Sequence, residues 1–114
     1  MTEYAPPLTD IRFVLEDVCD LPELLQQDDF NHVEADMIFA VLDEVGRFAA
    51  EVIAPTNVDG DQIGAQWHAG NDETDGWAHV TTPDSFRSAY SKLVDAGFNA
   101  IPFEPDYGGG GFPW

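Results

Sequence analysis

A run of four consecutive glycines, Gly108–Gly111, follows Tyr107 and is the feature of this sequence that most suggests a binding loop. Glycine-rich loops bind dinucleotides when they follow a strand and open a helix with the spacing G-x-G-x-x-G, and they bind phosphates when a lysine follows. Here residues 112–114 are Phe-Pro-Trp, so both patterns are excluded. Two interpretations remain open: a flexible tail, which the composition favours, and a specific loop, which the flanking aromatic residues favour.

The three histidines, His32, His68 and His79, share no metal-ligand spacing, and Cys19 lies far from them in the sequence. Zinc sites place Cys and His at short, regular intervals, so we expect no zinc site. A Cys–His nucleophilic pair is also unsupported, because a lone Cys on a helix is more often buried and inert. No pair of carboxylates stands out as general acid and base, and we assign no catalytic residue.

Two acidic stretches carry part of the spacing of an EF-hand calcium loop. In the first, 57–61, Gln62 replaces the glycine and His68 replaces the final glutamate; in the second, 71–76, Thr82 occupies the twelfth position. The EF-hand loop needs a bidentate glutamate at that position. We therefore interpret both stretches as solvated turns and expect no calcium site.

The charge balance is strongly acidic, with 22 Asp and Glu against four Lys and Arg and a formal net charge of −18. Such a surface repels phosphate backbones and anionic lipid, so we expect neither nucleic-acid nor membrane binding. The N-terminus lacks the features of a signal peptide, and no apolar run is long enough to span a membrane. With a single cysteine, no internal disulfide is possible. These features favour a soluble, cytoplasmic protein of one domain.

Helical periodicity predicts three principal helices. The first has Thr9 as N-cap and ends at Pro22, which opens a short turn. The second begins at a capping box formed by Asn31 and Glu34 and ends at Pro55. Its interior Gly46 indicates close approach by another element, because a glycine there costs about 1 kcal/mol relative to alanine. The apolar stripes of these two helices are Ile11, Val14, Leu15 and Val18, then Ile38, Val41, Leu42, Val45, Phe48, Ala49, Val52 and Ile53.

The segment 55–82 is rich in Gly, Asp and Asn, which predicts an irregular connection between the second and third helices. A small hairpin at 65–80 is compatible with this composition. The third helix then begins with Thr82 as N-cap and Pro83 at its first position, and Gly97 follows its last turn. Its stripe consists of Phe86, Tyr90, Leu93 and Val94. The periodicity therefore predicts an all-α fold.

The order of five short motifs resembles the N-terminal part of acyl-CoA dehydrogenases. The resemblance is to the branch that opens with a short extension and includes enzymes acting on 3-methylthiopropanoyl-CoA. It covers nearly the whole chain, although Pro7, Cys19 and Val58 depart from the usual pattern. The motifs are Tyr4–Phe13, Glu44–Asn57, Gly60–Asp61 with Gly64, Thr82–Pro83 with Phe86 and Tyr90, and Glu104–Trp114.

The resemblance implies an N-terminal helical domain. Residues 1–30 would form an extension that carries one helix, and residues 31–114 would form the helical domain itself, which ends before a β-domain. Members of the family oxidise the Cα–Cβ bond of acyl-CoA with FAD and a glutamate base, and the complete enzyme is expected to form homo-oligomers. By this resemblance, Tyr107, Gly108, Gly109, Gly110 and Gly111 lie near the acyl or flavin cleft.

The same resemblance implies that the catalytic base and most flavin contacts lie beyond residue 114. The chain alone is therefore expected to bind no FAD and to be inactive, with the remaining dehydrogenase domains as its partners. The alternative is a small acidic interaction module for a basic partner, which the charge of −18 supports. Natural truncation, a gene fragment and an expressed domain are not distinguished, and no particular acyl-CoA is assigned.

Overall fold

The computed structural model describes residues 4–114, and helices dominate this part of the chain. The structure is mostly helical with a small two-stranded antiparallel hairpin, as the sequence predicted. Two helices end in a π-helical turn, Val14–Val18 and Ala49–Ile53, and three 3₁₀ turns cover Asp72–Thr74, Phe98–Ala100 and Pro105–Tyr107. The regular elements are α1 (Leu8–Phe13), α2 (Leu21–Leu24), α3 (Ala35–Phe48), α4 (Thr56–Gln62), β1 (Gln66–His68), β2 (His79–Thr81) and α5 (Asp84–Asp95).

All three predicted helix starts are displaced. α1 has Pro7 as its N-cap rather than Thr9, and α5 has Pro83, whose extended backbone (φ −51°, ψ 140°) keeps it outside the helix. α3 begins only after Glu34, so the predicted capping box at Asn31 does not form. The reason lies in Val33, which is 3% exposed. Burying a valine is worth about 1.5–3 kcal/mol, more than the roughly 1 kcal/mol of an N-cap.

The core of the described chain is a cluster of four buried residues: Leu21, Val33, Ile38 and Phe39. Leu21 and Val33 lie outside the predicted apolar stripes, because Leu21 begins a four-residue helix and Val33 lies in the segment before α3, both too short to show helical periodicity. Leu21 is buried as the first residue of α2, where Asp20 caps the helix from a left-handed conformation. Partly buried neighbours from both halves of the chain surround the cluster: Leu15, Leu24, Leu25, Ala35, Leu42 and Phe112.

The π-helical turns explain why parts of the predicted stripes are exposed. In each of them an amide bonds to the carbonyl five residues earlier, as Cys19 does to Val14 (2.9 Å) and Ala54 to Ala49 (2.8 Å). The wider turn rotates the residues that follow relative to an ideal α-helix. Val18, predicted to face inward, is 66% exposed at the end of this turn, and Val14, at its start, is 44% exposed.

The predicted irregular crossing after Pro55 contains a helix that the sequence did not indicate. α4 begins directly at Thr56, whose hydroxyl donates to the carbonyl of Ile53 at 2.7 Å. Proline lacks an amide donor but takes helical φ, so it can precede a new helix as easily as end one. Gly60 in α4 lets the ring of Phe86 from α5 approach, since a Cβ there would lie 2.8 Å from its Cζ.

The hairpin expected at 65–80 is present. β1 and β2 are antiparallel, and Trp67 pairs with Val80 while His68 pairs with His79. In the turn between them the Asn71 carboxamide accepts from the amides of Glu73 (2.9 Å) and Thr74 (3.1 Å). The Asn71 side chain, which was a candidate calcium ligand, thus caps the 3₁₀ turn Asp72–Thr74.

α5 is more exposed than its stripe predicts. Phe86, Tyr90 and Val94 are 39%, 64% and 43% exposed, whereas Leu93 is half-buried. The predicted role of Gly97 is confirmed: it adopts φ +74° directly after the helix, and its amide bonds to the carbonyl of Val94 at 2.9 Å.

The chain is extended for its size. Its radius of gyration is 18.9 Å, whereas a globular domain of this length has about 13 Å. Its accessible surface is 8580 Å², compared with roughly 6,200 Å² for a folded monomer of this mass. Much of the surplus is apolar, because Trp67, Trp77 and Tyr90 are among the side chains left more than half exposed. Within the described residues, no helix has both the length and the apolar character needed to cross a bilayer.

Gly46 confirms the predicted close approach. It is buried in α3, and a Cβ at this position would lie 3.0 Å from Cγ of Pro6 and 3.2 Å from a methyl group of Leu8. The segment that leads into α1 therefore packs directly on the α3 backbone.

We predict that Gly46→Leu destabilises the chain by about 1–3 kcal/mol, because the added side chain overpacks this contact. Ala40→Leu is the matched control, since Ala40 is an exposed position of the same helix. The free energy of unfolding, measured by circular dichroism in denaturant, should fall only for Gly46→Leu. Equal stability of the two variants would contradict the packing described here.

Candidate functional site

The glycine loop, residues 107–111, is folded back on the segment that precedes it. The 3₁₀ turn Pro105–Tyr107 leads into Gly108, which adopts φ +83°, and Gly111 adopts φ +64°. Both values are left-handed conformations, which glycine adopts without a steric penalty. The interpretation of this segment as an unstructured tail therefore does not hold.

Every backbone amide of the glycine loop has a partner within the chain. Those of Tyr107 and Gly109 both bond to the carbonyl of Glu104, at 2.9 and 3.1 Å. The remaining three bond to the carbonyls of Pro105, Ile101 and Phe103 at 2.9, 3.1 and 2.9 Å. Anion-binding loops work by pointing free amides at the ligand. In this conformation the loop offers none, so it cannot cradle a phosphate through its backbone.

Packing explains two of the glycines. A Cβ on Gly109 would overlap the backbone of Phe103, and a Cβ on Gly111 would lie 3.1 Å from Nε2 of His32. Gly109 thus permits the close approach of two backbone segments, and Gly111 permits contact with the segment before α3. The fold of the loop itself therefore requires these two glycines, independently of any ligand.

The end of the loop is tied to the core. Phe112 packs against the buried cluster around Ile38 and Phe39, and its amide bonds to the carbonyl of Ile101 at 3.3 Å. The loop therefore has a packing partner within the chain itself. Its position relative to α3 is fixed by a long-range apolar contact that no local pattern revealed.

Aromatic side chains form the outward surface of this region. Tyr107 is 82% exposed, and Trp114, 89% exposed, lies against Phe103 with ring centroids 5.4 Å apart. Exposed aromatic side chains of this size are typical of contact surfaces. The chemistry available here is therefore apolar and aromatic contact, together with one phenolic hydroxyl.

Two shallow clefts elsewhere in the described chain are small. One, about 190 Å³, lies between α1 and α3 and is lined by Leu8, Arg12 and Phe39 among others. The other, about 220 Å³, lies between α4 and α5 and includes Asp59 and Lys92. Pockets for drug-sized ligands measure roughly 300–1,000 Å³. Neither cleft is large enough for a flavin dinucleotide, and neither includes the glycine loop.

No charged side chain is buried in residues 4–114. The same residues contain no cluster of three or more His, Cys, Asp or Glu that could hold a metal ion. Cys19, expected to be buried, is exposed, because it follows the π-helical turn rather than facing the core. A general base is normally held in an enclosed site that tunes its proton affinity. The described residues offer no such environment.

One side-chain pair was not predicted from the sequence. His68 and His79, which have no recognisable spacing in the sequence, face each other across the hairpin with ring centroids 4.7 Å apart. A register prediction for the hairpin would have paired them, but the irregular composition of 65–80 specified no register.

Comparison with known proteins shows which proteins the whole chain resembles. No family model matches the sequence. The chain is similar to 3-methylmercaptopropionyl-CoA dehydrogenase from Ruegeria pomeroyi, with 32% identity over 110 residues, which are 96% of this chain and 17% of that protein. It is also similar to two proteins named butyryl-CoA dehydrogenase from Syntrophomonas wolfei subsp. wolfei, at 29% and 28% identity over 95 residues, which are 82% of this chain and 15% of each.

These relatives are named acyl-CoA dehydrogenases, as the motif resemblance implied. At 28–32% identity they support the family more than any branch within it. The chain spans only 15–17% of the length of these curated relatives.

We predict that Gly109→Val disrupts the loop itself, because its side chain would displace the Phe103 backbone. The matched variant Tyr107→Ala should leave the loop intact, since Tyr107 is almost fully exposed. Hydrogen exchange of the amides of residues 107–112 should accelerate in Gly109→Val and stay slow in Tyr107→Ala. Protected amides in the valine variant would show that the backbone contact is not required.

Proposed function

We propose that this chain is the N-terminal helical part of a flavin-dependent acyl-CoA dehydrogenase and is inactive by itself. One observation carries the proposal: 96% of the chain matches a stretch that makes up only 17% of a dehydrogenase. The reaction assigned to the complete enzyme is oxidation of the Cα–Cβ bond of an acyl-CoA thioester, in the cytoplasm, by a homo-oligomer. The particular acyl group is left open.

The shape of the chain supports this proposal. Four buried residues form its core, and its accessible surface exceeds that of a self-contained monomer by about 2,400 Å². A standard protein interface buries about 800 Å² on each partner. The surplus is therefore large enough for an extensive interface with the remaining domains of a longer enzyme.

FAD is the cofactor of the proposed complete enzyme, and residues 4–114 do not fit it unaided. The clefts are too small, and the amides of the glycine loop are already bonded. No step of the reaction is assigned to residues of this chain. Its contribution is to present Tyr107–Gly111 as one wall of the acyl or flavin cleft.

The alternative, an acidic module for a basic partner, rests on the net charge of −18. The charge is spread over the surface, with no charged residue buried in the described part of the chain. An acidic module also offers no explanation for the ordered similarity over nearly the whole length. The dehydrogenase proposal accounts for both the similarity and the exposed apolar surface.

The test is to purify the chain alone and the product of a longer reading frame that contains it. We predict that the longer protein carries flavin absorbance and reduces a dye with an acyl-CoA substrate, because it supplies the base and the hydride acceptor. The chain alone should be colourless and inactive. Stoichiometric flavin on the chain alone would refute its inactivity, and a flavin-free longer protein would refute the family proposal.

Within that longer protein, Tyr107→Ala should lower kcat/KM about tenfold or more without loss of flavin, because the ring contributes contact area to the cleft wall. Trp67→Ala is the matched control, an exposed aromatic residue on the hairpin. Steady-state kinetics with several acyl-CoA chain lengths would separate binding from turnover. Wild-type kinetics for Tyr107→Ala would remove this loop from the cleft.

A further inference from the structure

The hairpin places two imidazoles together on one of its faces. His68 and His79 are directly paired in the register of β1 and β2. Their rings are stacked, with centroids 4.7 Å apart and planes inclined by 18°. Trp67 and Val80 are the neighbouring pair and therefore lie on the opposite face. The two histidines are thus separated from the exposed apolar side of the hairpin.

A hydroxyl group orients one of the two rings. Nε2 of His68 lies 2.8 Å from Oγ1 of Thr81, which is on the same face two residues beyond His79. When Nε2–H donates to this oxygen, the tautomer is set and Nδ1 keeps its lone pair. Metal-binding histidines commonly use their second ring nitrogen in this way, because the outer hydrogen bond fixes the orientation of the ligating one.

The electrostatic surroundings favour a cation. Residues 55–82 contain no lysine or arginine, and they carry five carboxylates: Asp59, Asp61, Asp72, Glu73 and Asp75. Their summed field raises the local concentration of cations near the hairpin. Carboxylates by themselves prefer hard ions such as Mg²⁺, whereas paired imidazoles prefer Zn²⁺, Ni²⁺ or Cu²⁺. The histidine pair therefore adds a preference for transition-metal ions to the general attraction of cations by the carboxylates.

We propose that His68 and His79 together bind one divalent transition-metal ion, which clamps β1 to β2. Zinc–nitrogen bonds of about 2.0–2.1 Å require the two donor nitrogens to lie within about 4 Å of each other. The two rings are nearly parallel, so their in-plane lone pairs do not converge on one point until one ring turns. The exposed His79 ring turns toward the ion, while the His68 ring keeps its contact with Thr81. In the part of the chain that the structure describes, no third ligand joins the pair. The remaining coordination positions are taken by water, and the ion is exchangeable.

The structural consequence concerns the hairpin. An isolated two-stranded hairpin is marginally stable in water, and here each strand has only three residues. An ion that binds the closed form and not the open form stabilises the closed one by mass action. The site is independent of the proposed dehydrogenase function, since it neither uses the glycine loop nor requires the longer protein.

The experiment is calorimetric titration of the untagged chain with ZnCl₂, in excess MgCl₂ to occupy the carboxylates. We expect one equivalent of Zn²⁺ to bind saturably, and His68→Ala and His79→Ala each to weaken the affinity about tenfold or more. His32→Ala is the matched control, because His32 lies before α3 and outside the hairpin. Its titration should be unchanged.

A second measurement uses the unaltered chain, so that it does not depend on how the variants fold. Ring resonances of His68 and His79 should shift or broaden together on addition of Zn²⁺ or Ni²⁺, while those of His32 stay in place. The absence of saturable binding would overturn the proposal. So would an equal loss of affinity in His32→Ala, or ring shifts spread over all three histidines.

Discussion

The packing of Leu21, Val33, Ile38 and Phe39 against one another is the contact on which the rest of this structure depends. These four residues come from α2, from the segment before α3 and from α3 itself, and together they form the hydrophobic core cluster of the described chain. α1 and its π-helical turn reach the cluster through Leu15, and the end of the glycine loop reaches it through Phe112. This cluster of four residues therefore joins segments that lie nearly one hundred residues apart in the sequence.

The limited core has a physical consequence for the whole molecule. Folding must offset the conformational entropy of every ordered residue, and apolar burial is the main favourable term. Here large side chains such as Trp67, Trp77 and Tyr90 remain exposed, although a chain of this length could enclose more of them. An acidic surface keeps such a chain dispersed through self-repulsion. The curated relatives that the chain matches are about six times longer, since it spans only 15–17% of each.

The glycine loop shows how far a local motif can be interpreted. Its composition suggests flexibility and backbone access, yet its amides are bonded and Gly109 is pressed against the backbone of Phe103. The exposed feature of the loop is instead the ring of Tyr107. A substitution at a glycine would therefore report on the fold of the loop, and a substitution at the tyrosine would report on what the loop contacts.

The sequence by itself determined the existence of the principal helices, the stop at Gly97, the close approach at Gly46 and the position of the hairpin. It could do so because periodicity, turn residues and a glycine inside a helix each act over a few neighbouring residues. The start of α3 was decided by tertiary structure, since burial of Val33 outweighed a local cap. No local pattern indicated α4 or the π-helical turns. The pairing of His68 with His79 and the docking of Phe112 were decided in the same way, because each joins residues that share no local pattern.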